Sequence, residues 1–207
     1  MKNTMKLTGF LMLFVFSSAA TMFAQTFNAS QTFIFDPGNT GSGLALWHNN
    51  IGLNDSSCTA NFGLRLVKNA AKSANVAVGT TITGLHGATI QNGETLGYDI
   101  QNTSPCTGGS PRFNVSWFFN GGQGFSFVGG CGNDAERTLA PQSPNWTRVA
   151  FELQDPTESF PIIPVGAQIN RITLVVDETG LYTLDNIQFR QLYADDTSDA
   201  GMQPFCP

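Results

Sequence analysis

The sequence predicts an all-β protein, a sandwich of two antiparallel sheets. Three observations carry this. Helical periodicity is nearly absent, and Asn69–Ala74, its best instance, is too short to form more than a turn or so. Short runs of alternating apolar and polar residues recur instead, separated by Gly, Asn, Asp and Pro. Apolar residues make up 41% of the 207-residue chain and charged residues only 12%, about half the usual charged share, so a core of domain size can be buried.

Taken in order, the expected strands are Thr32–Asp36, Leu44–His48, Phe62–Asn69, Asn75–Ile82, Thr95–Asn102, Arg112–Asn120, Gly124–Val128, Trp146–Gln154, Ile169–Glu178 and Tyr182–Leu192. Ten short strands at this spacing fit two packed sheets. Asn120-Gly121-Gly122-Gln123 reads as a hairpin turn, because glycine accepts the positive φ of tight hairpins, and Asp177 to Gly180 reads as a second. Three strands show their faces. Phe113, Val115, Trp117 and Phe119 alternate with Arg112, Asn114, Ser116, Phe118 and Asn120; Val149, Phe151 and Leu153 with Arg148, Ala150, Glu152 and Gln154; Leu96, Tyr98 and Ile100 with Asp99 and Gln101. The first set of each points into the core and the second outward.

Residues 1–24 have the layout of a secretory signal peptide. Lys2 and Lys6 precede an unbroken apolar run from Phe10 to Phe16, and small residues follow up to Ala24. Ser17, Ser18 and Thr21 interrupt the run short of the roughly 20 apolar residues a spanning helix needs. The expected organisation is a single domain over 25–193 and an acidic tail over 194–207. The mature chain would carry eight basic and fifteen acidic residues, a net charge of −7. That balance favours solubility and argues against nucleic acid or an anionic membrane as partner. Four cysteines in an exported chain suggest two disulfides. Three pairings exist; Cys106–Cys131 is favoured because the two bracket one hairpin, which leaves Cys58–Cys206 to tether the tail. Their wide spacing does not suit a metal site.

If the strands at Thr95, Arg112 and Trp146 share a sheet, their outward sets gather Asp99, Gln101, Arg112, Asn114, Ser116, Arg148 and Glu152, with Phe118 and Trp146 at the row ends. Carboxylate, amide and guanidinium groups make paired hydrogen bonds to adjacent sugar hydroxyls. An aromatic ring covers the apolar face of a pyranose. The alternative is a solvated sheet face with cross-strand ion pairs. Trp47 and His48, between a Gly/Ser/Thr loop and Asn49-Asn50, form a second candidate, against a Trp that merely closes the core edge. Five glycosylation sequons occur, of which Asn114 falls on the polar face.

In the C-terminal third, Asn145-Trp146-Thr147-Arg148-Val149, the alternating aliphatics of Ile169 to Val176, and Tyr182-Thr183-Leu184-Asp185-Asn186-Ile187 resemble the closing strands of galactose-binding-like jelly rolls. That superfamily includes many carbohydrate-binding modules. The resemblance covers about 45 residues and implies a jelly-roll sandwich; the stretch Cys106 to Cys131 is similar to exported bacterial proteins of unassigned role. It also implies a structural calcium at Asp185 with oxygens from near the N-terminus, for which Asp36 is available. Against it, Asp185 and Asn186 simply bond nearby backbone, and calcium takes six to eight oxygens. An immunoglobulin-like sandwich is the alternative fold, because Asp177 to Tyr182 resembles a tyrosine corner, although Leu184 stands where a cysteine is expected.

Nucleophile-elbow, zinc-protease, phosphate-loop and dinucleotide motifs are all missing. A glycosidase pair drawn from Asp99, Glu152 and Asp177 stays open on sequence alone. The expectation is a secreted, non-catalytic module for carbohydrate or another extracellular polymer. A structural or adhesive surface protein and a hydrolase are the alternatives.

Overall fold

A computed structural model describes residues 27–54, 61–133, 136–190 and 192–194. The signal peptide, the Cys58–Cys206 pairing and all of the tail beyond Ala194 lie outside the described residues. The strands, in chain order, are β1 (Asn28–Phe35), β2 (Gly43–His48), β3 (Gly63–Lys68), β4 (Ala77–Thr83), β5 (Thr95–Gln101), β6 (Arg112–Phe119), β7 (Gly122–Gly129), β8 (Glu136–Leu139), β9 (Trp146–Glu152), β10 (Ser159–Phe160), β11 (Gln168–Val176), β12 (Gly180–Phe189) and β13 (Leu192–Ala194). All ten expected strands are present. The last is divided, because Arg190 turns with a positive φ and β13 folds back onto β12. Two strands had no signal: β8 is exposed throughout and does not alternate, and β10 is two residues long.

Six strands form one sheet in the order β1-β4-β11-β6-β7-β10, and β2-β3-β12-β5-β9-β8 with β13 form the other; every pairing is antiparallel. Eight of these strands wind as a jelly roll. Like a long hairpin wrapped around a barrel, β3 pairs with β12, β4 with β11, β5 with β9 and β6 with β7. The chain crosses repeatedly from one sheet to the other, which is not the immunoglobulin-like arrangement.

The inward faces are those read from the alternation. Phe113, Val115, Val149, Phe151, Leu96 and Tyr98 are fully buried between the sheets. Tyr98, Phe113 and Phe151 pack with ring centroids 5.7 to 6.4 Å apart, and the Tyr98 hydroxyl donates to the Pro111 carbonyl at 2.9 Å. The β6–β7 hairpin turns on Asn120 and Gly121, both with positive φ, as the tight hairpin geometry requires. Asp177 to Gly180 is not a hairpin turn. Val176 pairs with Val78 in one sheet and Gly180 with Lys68 in the other, so this segment carries the chain between sheets. The Cys106–Cys131 disulfide is formed.

Candidate functional site

The proposed polar face is split by this topology. β5 and β9 lie in one sheet and β6 in the other, so Asp99, Gln101, Trp146, Arg148 and Glu152 stand on the opposite side of the molecule from Arg112, Asn114, Ser116 and Phe118. Loops cover much of the first group. Asp99 is fully buried; Arg148 donates to both of its carboxylate oxygens at 2.8 Å and stacks over the Tyr193 ring. The Asn186 amide bridges Asp99 (2.8 Å) and Gln142 (3.0 Å). Trp146 is buried against Leu53 and Ala140 rather than offered to a ligand. This network fastens the loops around Leu53 and Gln142, and β13, to the sheet. Trp47 is a strand residue packed on the core edge, its indole N–H donating to the Ala29 carbonyl at 3.0 Å, and His48 is exposed beside it.

The two aspartates expected to share a calcium do not meet. Asp185 accepts the Leu53 amide at 2.6 Å and its own neighbour Asn186 N–H at 2.8 Å. Asp36 closes the β1–β2 turn, accepting the Thr40 hydroxyl at 3.0 Å and the Gly41 amide at 2.8 Å. These sites lie beyond opposite ends of β2, since Gly43 pairs with Lys68 while His48 pairs with Gly63. Among the described residues no three His, Cys, Asp or Glu side chains gather. Nor do the three acids considered for hydrolysis: Asp99 is locked to Arg148, Glu152 is exposed on the same sheet, and Asp177 serves the other sheet.

What the fold does assemble is a groove of about 810 Å³ across the outer face of the six-stranded sheet. Its layout follows from register. One row runs Phe33, Gly79, Val175, Arg112; the next runs Thr81, Thr173, Asn114, Phe127; a third sets Arg171 beside Ser116 and Phe125. Thr173 and Val175 form the floor, and Lys72 to Ala77 wall one side. Phe33 reaches over Gly79, where an added Cβ would come within 2.8 Å of the ring.

β7 departs from the usual rule of apolar residues inward. Ser126 is fully buried and accepts the Trp117 indole N–H at 2.9 Å, and the Trp117 ring occupies the space above Gly124. A bulky Trp117 on β6 therefore requires small partners on β7, and the pleat then turns Phe125 and Phe127 outward. Both are nearly half exposed and meet edge to face at 5.1 Å. Phe118 and Phe160 extend the aromatic border.

Arg112 is the organising polar group. It makes two 2.7 Å contacts with the Asp177 carboxylate, donates to the Gly109 carbonyl (2.8 Å) and Asn114 Oδ1 (3.2 Å), and lies 5.2 Å over the Phe127 ring. Burial alone would raise the Asp177 pKa; the Arg112 hydrogen bonds and charge, the Ser110 hydroxyl and the nearby Lys68 charge override it and hold it below 3.8. Lys68, 1% exposed, donates to the carbonyls of Asp177 (2.7 Å), Ala74 (2.8 Å) and Lys72 (3.3 Å), tying the groove wall to the end of β11.

Of the residues singled out from sequence, Arg112, Asn114, Ser116 and Phe118 are on this sheet face, and the first three line the groove. Phe33, Phe35, Lys68, Phe125, Phe127, Arg171 and Thr173 were not anticipated. The alternation Arg171, Thr173, Val175 against Ile172, Leu174, Val176 was a usable signal for an outward row. No protein-family profile, curated protein or solved structure matches the chain.

Proposed function

We propose that the protein is an exported, non-catalytic module that holds a linear carbohydrate chain in the groove of its six-stranded sheet. One observation carries this reading: aromatic rings stand at both ends of a row of planar and hydroxylic hydrogen-bonding groups. Phe33 and Phe35 on β1 and Phe125 and Phe127 on β7 are four strand spacings apart, roughly 19 Å. Between them lie Arg112, Asn114, Ser116, Arg171 and Thr173. Sugars are amphipathic, and a ring face stacks on an aromatic while its edge hydroxyls exchange paired hydrogen bonds with amide and guanidinium. A second depression of about 370 Å³, against Gly108, Gly109 and Asn133, begins beyond Arg112 and Phe127. The path is therefore open along its length, which suits the interior of a polymer. The jelly-roll winding supports kinship with galactose-binding-like modules.

Affinity electrophoresis through gels containing a panel of soluble polysaccharides tests this. Retardation by at least one polymer, lost in Asn114→Ala and Phe33→Ala but kept in Glu152→Gln, is the expected outcome. Migration unaffected by every polymer refutes the reading, and ordered self-assembly of the same preparation would then assign a structural role to the exposed phenylalanines.

A further inference from the structure

We infer that the groove selects an anionic glycan, a linear chain bearing uronate carboxylates on some of its rings, with one carboxylate seated at Arg171. This rests on the glycan-binding reading and adds to it the chemical class of the chain.

The argument is one of charge accounting. The groove is lined by four cations, Lys68, Lys72, Arg112 and Arg171, and one acid, Asp177, in a chain whose net charge is −5. Glu178 adds a second acid at the rim, paired with Lys72 at 2.6 Å. Arg112 is matched by Asp177. Lys68 is buried and gives its hydrogens to three carbonyls. Arg171 differs from all three. It is exposed, its guanidinium donates to the Thr81 hydroxyl at 3.3 Å, and it has no carboxylate partner among the described residues. The site thus holds two more positive than negative charges, and one of them is an unpaired guanidinium at the surface.

Register puts Arg171 beside Ser116, one row from Asn114 and Thr173, and on the same row as Phe125. A guanidinium is a planar fork that matches a carboxylate with two parallel hydrogen bonds. The neighbouring hydroxyl and amide suit the ring hydroxyls flanking that carboxylate, and Phe125 suits the ring face. The spacing of charge also decides against a nucleic acid. Each strand of a duplex carries a phosphate about every 3.4 Å along the axis, whereas this groove offers one open guanidinium along roughly 19 Å. Sparse charge on an otherwise hydroxylic chain is what the site complements.

The test uses the purified protein with hyaluronan and gellan, linear chains in which only some rings carry a carboxylate, each beside its carboxyl-reduced counterpart, which keeps linkage and length but lacks the charge. Binding to one native polymer at least about tenfold tighter than to its reduced form, equivalent to about 1.4 kcal/mol, is expected. Raising salt from about 20 to about 300 mM should weaken only the native interaction. Arg171→Gln should cost the native polymer much more affinity than the reduced one and close most of the gap between them, and Arg171→Lys should recover part of that difference. Arg171 is a surface residue, so a thermal melt matching wild type confirms that the variants fold. Equal affinity for native and reduced polymers, equal losses on both in Arg171→Gln, or oligothymidylate binding as tightly as the native polymer overturns the inference. If neutral polysaccharides alone retard the protein, the anionic assignment fails while the glycan-binding reading stands. If nothing in either class retards it, both fail together.

Discussion

Replacing Lys68 by Met removes an ammonium from the junction of groove wall and sheet while keeping the length of the side chain. Two of its three bonds, to Asp177 and Ala74, are short at 2.7 and 2.8 Å, and the third at 3.3 Å contributes little. Hydrogen bonds from a charged donor are worth about 1.5–3 kcal/mol each, so the two short ones give about 3–6 kcal/mol. Met needs no desolvation of a charge, which offsets part of that. A net loss of about 3 kcal/mol follows, or about 6–12 °C in Tm for a domain of this size. Differential scanning calorimetry reads the shift, and proteolysis between Asn69 and Val76 reads the loosened wall. The control is Lys72→Met, whose ion pair with Glu178 lies at the surface and should leave Tm unresolved from wild type. If Lys68→Met melts within about 2 °C of wild type, Lys68 does not tie the wall and the argument for a preformed groove loses its anchor.

Asp99→Asn should destabilise the fold by about 3–5 kcal/mol, because it leaves Arg148 half buried without its counter-charge, yet glycan retardation below the melting range should be unchanged; loss of binding at full stability would return Asp99 to the ligand site. Removing the disulfide with Cys106→Ala and Cys131→Ala frees a loop spanning 25 residues, and denaturant titration should show a loss of about 3.5 kcal/mol. Asp177 has its folded-state pKa lowered, so its contribution to stability is fully present above 3.8 and disappears as pH falls through the lower folded value. Melts between pH 5 and pH 2 should therefore show an acid loss that Asp177→Asn reduces; an identical acid profile in the variant contradicts this. Trp47→Phe removes the bond to Ala29 and should cost about 1 kcal/mol in denaturant titration with glycan binding intact.

The fold was more legible than the site, for physical reasons. Alternation is a local property of each strand, and it correctly assigned the inward faces of β5, β6 and β9. Sheet membership is not local. Nothing within Arg112–Asn120 or Trp146–Gln154 says that a jelly roll deals those strands to opposite sheets, and the polar face assumed one sheet for both. Those residues point away from the core, yet Asp99 and Trp146 are covered there and the remainder divide between two faces. Phe125 and Phe127 were hidden for a different reason. Their exposure is dictated by Trp117 across the hairpin, which claims the inward space over Gly124 and the Ser126 hydroxyl. Asp99 was read as a surface acid because its cover comes from Gln142, Asn186 and Tyr193, remote in sequence and brought over it only by loops.

The central claim, that ligand occupies the outer face of the six-stranded sheet, is tested most directly by blocking one face at a time. Ser116→Cys places a thiol in the groove and Glu152→Cys places one on the opposite sheet; each is coupled to a bulky maleimide and run through a gel containing the retarding polysaccharide. The account predicts that the labelled Ser116→Cys protein migrates as if no polymer were present while labelled Glu152→Cys is retarded like wild type. The reverse pattern would contradict it and move the site to the other sheet.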